Sequence, residues 1–138
     1  MKKIILAPEH IKFINLFSKI TRTNARDCII DDNTITFMVT QGNGSKAIGK
    51  KGANAKKLER IFKKRVKIVE LSPDLKTFIG NLCYPIRDIE IEDKDNNVII
   101  TGKDTKTKAL LIGRNSKNLQ KLEETAKRYF QFDKIIVK

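Results

Sequence analysis

The chain has no tryptophan, one histidine, two cysteines and three prolines among its 138 residues, and each scarcity removes a class of function. Cys28 and Cys83 lie far apart with no other thiol near either, so neither a disulfide framework nor a four-ligand zinc site can be assembled. Buried free thiols in a reducing cytoplasm are the expectation. His10 falls in an amphipathic segment with no partner ligand, which leaves it no metal or catalytic role. There is no G-x-x-x-x-G-K-[ST] and no nucleophile and base at a supporting spacing. Neither catalysis nor a cofactor is therefore expected. No apolar run nears the roughly 20 residues of a membrane span, and the run following Lys2 and Lys3 is shorter than the about 7–15 residues of a signal-peptide core. A soluble, cytoplasmic protein without a membrane partner is expected.

What the chain has in excess is positive charge, a formal +13, which makes polyanions the default partner class. Residues 1–71 carry 16 Lys and Arg against 6 Asp and Glu, whereas residues 72–138 carry 13 against 10. Ten cations (Lys46, Lys50, Lys51, Lys56, Lys57, Arg60, Lys63, Lys64, Arg65 and Lys67) crowd into 46–67 with one acid, Glu59. A solvated helix face does not require such clustering.

The cluster surrounds a glycine turn that occurs twice. IGKKGANAKKL at 48–58 and IGRNSKNLQKL at 112–122 align at a spacing of 64, matching Ile-Gly, an Asn in the following segment, Lys57 with Lys121, and the closing Leu. The flanking patterns repeat as well. In the first half, 9–21 has Phe13, Phe17 and Ile20 at helical spacing, and Cys28 to Ile30 reads as a short strand. Asp31 to Asn33 forms a turn, and in Thr34 to Thr40 Ile35, Phe37 and Val39 fall at alternate positions among Thr residues, as in a half-buried strand. A short helix over 45–48, the turn Gly49–Gly52, a helix over 54–64 with Ala55, Leu58, Ile61 and Phe62 inward, and a strand over 66–71 complete the unit. In the second half Ser72-Pro73 reads as an N-cap and first helical position, opening a helix to Cys83. Strands over 86–92 and 98–101, helices over 105–112 and 117–130 around the turn Gly113–Ser116, and a strand over 134–137 follow. Both halves read α-β-β-α-turn-α-β, which predicts an α+β fold in two domains, 1–71 and 72–138.

Glycines let a phosphate backbone come close to the main chain, and a helix starting near Ala53 offers amides and a positive dipole end to an anion. Lys50 and Lys51 add attraction. The order α-β-β-α-GxxG-α-β resembles the type II KH domain, with Ile48-Gly49-Lys50-Lys51-Gly52 matching its GxxG loop. Two such domains in tandem, over nearly all 138 residues, resemble the archaeal NusA-like transcription factors. The resemblance implies two three-stranded sheets covered by helices. It also implies single-stranded RNA as ligand, about four nucleotides per domain, and a role in transcription elongation, termination or antitermination, with RNA polymerase or the ribosome as protein partner. The expected RNA-binding residues are Lys46, Ile48, Gly49, Lys50, Lys51, Gly52, Ala53, Asn54 and Lys57, and in the second half Gly113, Arg114, Asn115, Ser116 and Lys117. Ser116 stands where the pattern has its second glycine, which implies weaker binding there. A ribosome-associated or assembly KH protein, for which the acidic run Asp88 to Asp95 would be a docking face, is one alternative. A helix-turn-helix DNA-binding protein is the other, although a strand after each helix pair argues against it.

Overall fold

The computed structural model describes residues 7–138. The chain separates into two compact units that divide between Ser72 and Pro73.

In the first unit α1 (Pro8–Thr21) leads into β1 (Ala25–Ile30) and β2 (Thr34–Val39). These are followed by α2 (Gly44–Ile48), α3 (Ala53–Phe62) and β3 (Arg65–Glu70). The sheet order is β1-β2-β3, with β1 antiparallel and β3 parallel to the central β2. Pro8 opens α1, where its missing N–H costs nothing. Phe17 stacks on Phe37 of β2 at 4.3 Å between ring centroids, and Phe13 meets Phe62 of α3 at 4.9 Å. Ile35, Val39, Cys28, Ala47 and Leu58 fill the remaining core. Both cysteines are buried and neither forms a disulfide.

Three sequence expectations shift here. Strand β1 begins at Ala25, three residues before Cys28. In β2 Thr36 and Met38 are buried along with Ile35, Phe37 and Val39, because alternation marks the core-facing set without saying whether the opposite face is covered. In α3 Ile61 is 44% exposed: the helix packs through Leu58 and Phe62, and Ile61 lies on the Lys57 flank of that narrow stripe.

The second unit repeats the plan with α4 (Leu75–Cys83), β4 (Ile89–Lys94) and β5 (Asn97–Gly102). It continues with α5 (Thr105–Ile112), α6 (Lys117–Lys127) and β6 (Ile135–Val137) in a sheet ordered β4-β5-β6. Phe78 of α4 packs edge-on against Tyr129 at 5.2 Å, and Val98, Ile100 and Leu111 are buried as well. The β4–β5 hairpin closes on Asp95 and Asn96, with φ of 53° and 63°, a left-handed pair that Asp and Asn tolerate. Helix α4 starts two residues later than Ser72-Pro73 suggested, with Asp74 as its cap: the carboxylate accepts the Thr77 N–H at 3.0 Å and its hydroxyl at 2.6 Å. Ser72 is buried instead. Asp104 caps α5 in the same way, through the Thr107 N–H at 2.8 Å.

The Thr77 side-chain hydrogen bond, then the Thr77 backbone bond, lowers the Asp74 carboxyl pKa; for Asp104 the Thr107 backbone bond comes first. A carboxylate whose pKa is depressed in the folded state contributes stability that is present above its unfolded value and lost as pH falls through the folded one. Asp74→Ala/Asp104→Ala is therefore expected to lower the neutral-pH melting midpoint and to flatten its decline below about pH 4. Parallel thermal melts from pH 7 to pH 2 would check it, and an unchanged acid limb would contradict it.

Candidate nucleic-acid interface

Between α2 and α3 the chain turns through Gly49 (φ 83°, ψ 168°), Lys50, Lys51 (φ 55°, ψ 27°) and Gly52 (φ 74°, ψ 18°). Between α5 and α6 it turns through Gly113 (73°, 174°), Arg114, Asn115 (55°, 32°) and Ser116 (60°, 20°). The two loops thus share one backbone conformation, including a run of two left-handed residues. Gly49 and Gly113 lie in a region that is essentially closed to any residue with a Cβ. Gly52 needs no extra room, since the nearest atom to an added Cβ is Lys56 Cε at 4.0 Å; its left-handed φ is the reason for glycine. Ser116 holds the same φ without that freedom, at a cost of about 1–2 kcal/mol. Ser116→Gly is expected to hold or raise the melting midpoint, because relief of that strain outweighs the about 0.5–1 kcal/mol of added chain entropy in the unfolded state. A midpoint lowered by urea or heat would contradict it.

The Asn repeated in both helices braces the turn. Asn54 Nδ2 donates to the Lys46 carbonyl at 3.4 Å, and Asn118 Nδ2 to the Leu110 carbonyl at 3.0 Å. Each side chain lies over the turn's first glycine: a Cβ on Gly49 would come within 2.9 Å of Asn54 Cγ, and one on Gly113 within 2.5 Å of Asn118 Cγ. Asn54, expected at the ligand, thus has a main-chain partner of its own.

The turn also uses its own amides. Gly49 N–H donates to Ser45 O at 3.0 Å, Gly52 N–H to Gly49 O at 3.0 Å, and Ala53 N–H to Lys50 O. These three amides are therefore engaged within the turn itself. Lys50 and Lys51 are exposed, as are Lys46, Ala53 and Lys57, and Ile48 is 39% exposed at the end of α2. In the second loop Arg114, Asn115, Ser116 and Lys117 are exposed. The site-bearing side chains of each half come together around each turn, with cations dominating the first.

Three carboxylates that the sequence patterns do not single out tie the helices flanking these turns to neighbouring segments. Glu70, at the end of β3, accepts the N–H groups of Gly42 at 2.8 Å and Gly44 at 3.1 Å, so it fixes the start of α2. A Cβ on Gly44 would come within 2.5 Å of Glu70 Oε2, so a larger residue there would push this carboxylate aside. Glu59, the lone acid of the basic stretch, accepts the Val66 N–H at 3.1 Å. Its counterpart Glu123 accepts the Ile135 N–H at 3.0 Å. The matching spacing of 64 was the available signal for this pair; nothing local pointed to Glu70.

Among the described residues no group of three or more His, Cys, Asp or Glu is placed to hold a metal ion, and no helix is long and apolar enough to cross a membrane. In the acidic run Asp88 pairs with Lys103 at 2.8 Å, and Glu90, Glu92, Asp93 and Asp95 are exposed.

Comparison with known proteins agrees with this geometry. The KH domain matches twice, over residues 14–73 and 75–137. A probable transcription termination protein NusA of Methanocaldococcus jannaschii is 34% identical over 99% of this chain and 76% of its own length. One of Halococcus morrhuae is 28% identical over 96% of this chain and 97% of its own. The crystal structure of APE1850 superposes with a TM-score of 0.75 at 27% identity, covering 96% of this chain and all of that one. With two KH matches and a relative of this similarity along almost its whole length, the chain belongs to the KH domain family, in the NusA-like group that these archaeal proteins represent.

Proposed function

We propose that this chain binds single-stranded RNA without catalysis and acts as a NusA-like factor in transcription elongation, termination or antitermination, with 1–71 and 72–138 as its two RNA-binding domains. The observation that carries the reading is the exposed turn at Gly49–Gly52, held rigid by Asn54 and flanked by unpaired lysines within a KH fold. Lys50 and Lys51 contact phosphates, and Gly52 keeps side-chain bulk out of the way. Ile48 and Ala53 line an apolar path for bases, with Lys46 and Lys57 at its margins. The chain has no Trp, and its aromatics sit mainly in the two cores, so van der Waals and base-edge contacts outweigh aromatic stacking. The second loop, Gly113 to Lys117, keeps the backbone shape but has fewer cations, and it binds less tightly.

The test is competition at equal salt between a single-stranded oligoribonucleotide and a DNA duplex. RNA is expected to win. If about four phosphates are engaged, log affinity against log salt should fall with a slope near −3. Equal or tighter duplex binding, or a slope near zero, would overturn the proposal. The transcription role carries RNA polymerase as cytoplasmic partner, so capture from extract is expected to recover polymerase; ribosomal subunits alone would favour an assembly role.

A further inference from the structure

We infer that the outward face of α3 in the first unit is a second phosphate-binding strip, which carries the RNA backbone from the Gly49–Gly52 turn to the far end of the helix, beyond the nucleotides held at the loop. The inference rests on the RNA-binding reading above and extends it.

Two shallow concavities lie along this face. Lys50, Lys51, Ala53, Lys56, Glu59 and Arg60 line one, and Asn33, Thr34, Glu59, Lys63, Lys64 and Arg65 line the other. Glu59 belongs to both, so the concavities adjoin, and its carboxylate is engaged by the Val66 N–H. Lys64 is likewise tied down, its Nζ donating to Asp31 O at 2.9 Å. That leaves Lys56, Arg60, Lys63 and Arg65, which are all exposed and, among the described residues, form no ion pair. Unpaired cations at the edge of an open groove have their charge available to a ligand.

The second unit shows that the fold does not require this strip. Its loop has the same backbone and the same Asn brace, yet Lys56 and Arg60 are answered by Gln120 and Glu124. Lys127, the counterpart of Lys63, is paired with Glu123 at 3.1 Å. The same scaffold therefore stands with that face neutralised, so the free cations of the first unit serve something outside the chain. The ten residues of α3 span about 15 Å at 1.5 Å each. That exceeds the roughly 8 Å over which salt screens exposed charge under physiological conditions. A ligand confined to the turn would scarcely feel Lys63 or Arg65, whereas a longer strand would. An extended strand fits a narrow, one-helix strip that starts at a phosphate-binding turn.

The experiment measures binding of a tetranucleotide and a dodecanucleotide of single-stranded RNA across a salt series. It compares the intact chain, the variant Arg60→Gln/Lys63→Gln/Arg65→Gln, and a charge-matched control, Lys12→Gln/Lys19→Gln/Arg26→Gln, on α1 and β1. For the dodecanucleotide the strip variant is expected to reduce the salt slope by about 2, at roughly 0.7 per phosphate contact, and to cost at least ~10-fold in affinity at low salt. Tetranucleotide binding should stay within about twofold, and the control should match the intact chain for both ligands. An unchanged dodecanucleotide slope, or a control that behaves like the strip variant, overturns the strip while leaving the loop reading intact. An intact chain that binds neither oligonucleotide overturns both. If polyglutamate displaces the dodecanucleotide more effectively than RNA of equal charge, the strip is a protein-docking surface instead.

Discussion

A Gly52→Asp chain is expected to remain folded and to lose between about 5-fold and 900-fold of its affinity for single-stranded RNA. The structural half of this expectation follows from the turn's geometry. Gly52 has φ 74° and ψ 18°, and an added Cβ meets nothing closer than Lys56 Cε at 4.0 Å. Asp visits this left-handed region more readily than most residues, so the strain is about 1 kcal/mol. The binding half is electrostatic. A carboxylate about 4 Å from a phosphate is repelled by roughly 1 kcal/mol at the dielectric of water and about 4 kcal/mol at that of a protein surface, which brackets the expected loss. Gly52→Asn isolates the charge, since it brings the same bulk and adopts the same backbone. It should stay within about tenfold of the intact chain, and the gap between the two variants should shrink as salt rises. Equal affinity for RNA in all three folded chains would remove the turn from the binding site.

Much of this architecture is legible in the sequence because it depends on local rules. Hydrophobic period identifies α1 and β2, Asp and Asn mark the β4–β5 turn, and the repeat at a spacing of 64 places the two loops. Errors arise where a tertiary partner decides. Ser72-Pro73 and Asp74 both resemble the start of a helix, and Asp74 prevails through its bonds to Thr77. Ile61 has the spacing of a core residue but lies beyond the contact stripe of a ten-residue helix. The braces that shape the site are harder still. Glu70 reaches back 28 positions to Gly42, a link with no sequence period. Asn54 follows the glycine turn as a ligand-facing residue would, and it and its counterpart Asn118 each donate a bond across the turn as well. Repetition identified those residues as important, and only the fold tells bracing from binding.

That brace makes the first glycine of each loop the most sensitive position for stability, and the second-largest expected effect is here. Gly49→Ala and Gly113→Ala should each cost about 2–6 kcal/mol, combining about 1–3 kcal/mol of backbone strain with about 1–3 kcal/mol of crowding. In a domain of this size the corresponding fall in melting midpoint is about 4–8 °C per kcal/mol. Gly49→Asp therefore cannot serve as a clean binding variant, although it places a carboxylate in the same loop as Gly52→Asp. The source of the crowding differs between the two loops. At Gly113 the three closest atoms, at 2.5 to 2.8 Å, all belong to the Asn118 side chain, whereas at Gly49 the Asn54 backbone nitrogen lies at 3.0 Å beside the side-chain atoms. Truncating Asn118 to Gly in the Gly113→Ala background removes all three of those atoms, Cβ included, and should thus restore much of the crowding energy, leaving the strain, the lost bond to Leu110 and the helix cost of the new glycine. Asn54→Gly should restore less for Gly49→Ala, because the main-chain contact at 3.0 Å survives. Denaturant titration of both double-mutant cycles is expected to give coupling of about 0.5–3 kcal/mol, larger for Gly113 with Asn118 than for Gly49 with Asn54. Additive cycles at both loops would mean that the asparagine and the glycine stabilise the turn independently. The strict backbone requirement would then stand alone as the reason for glycine at both sites.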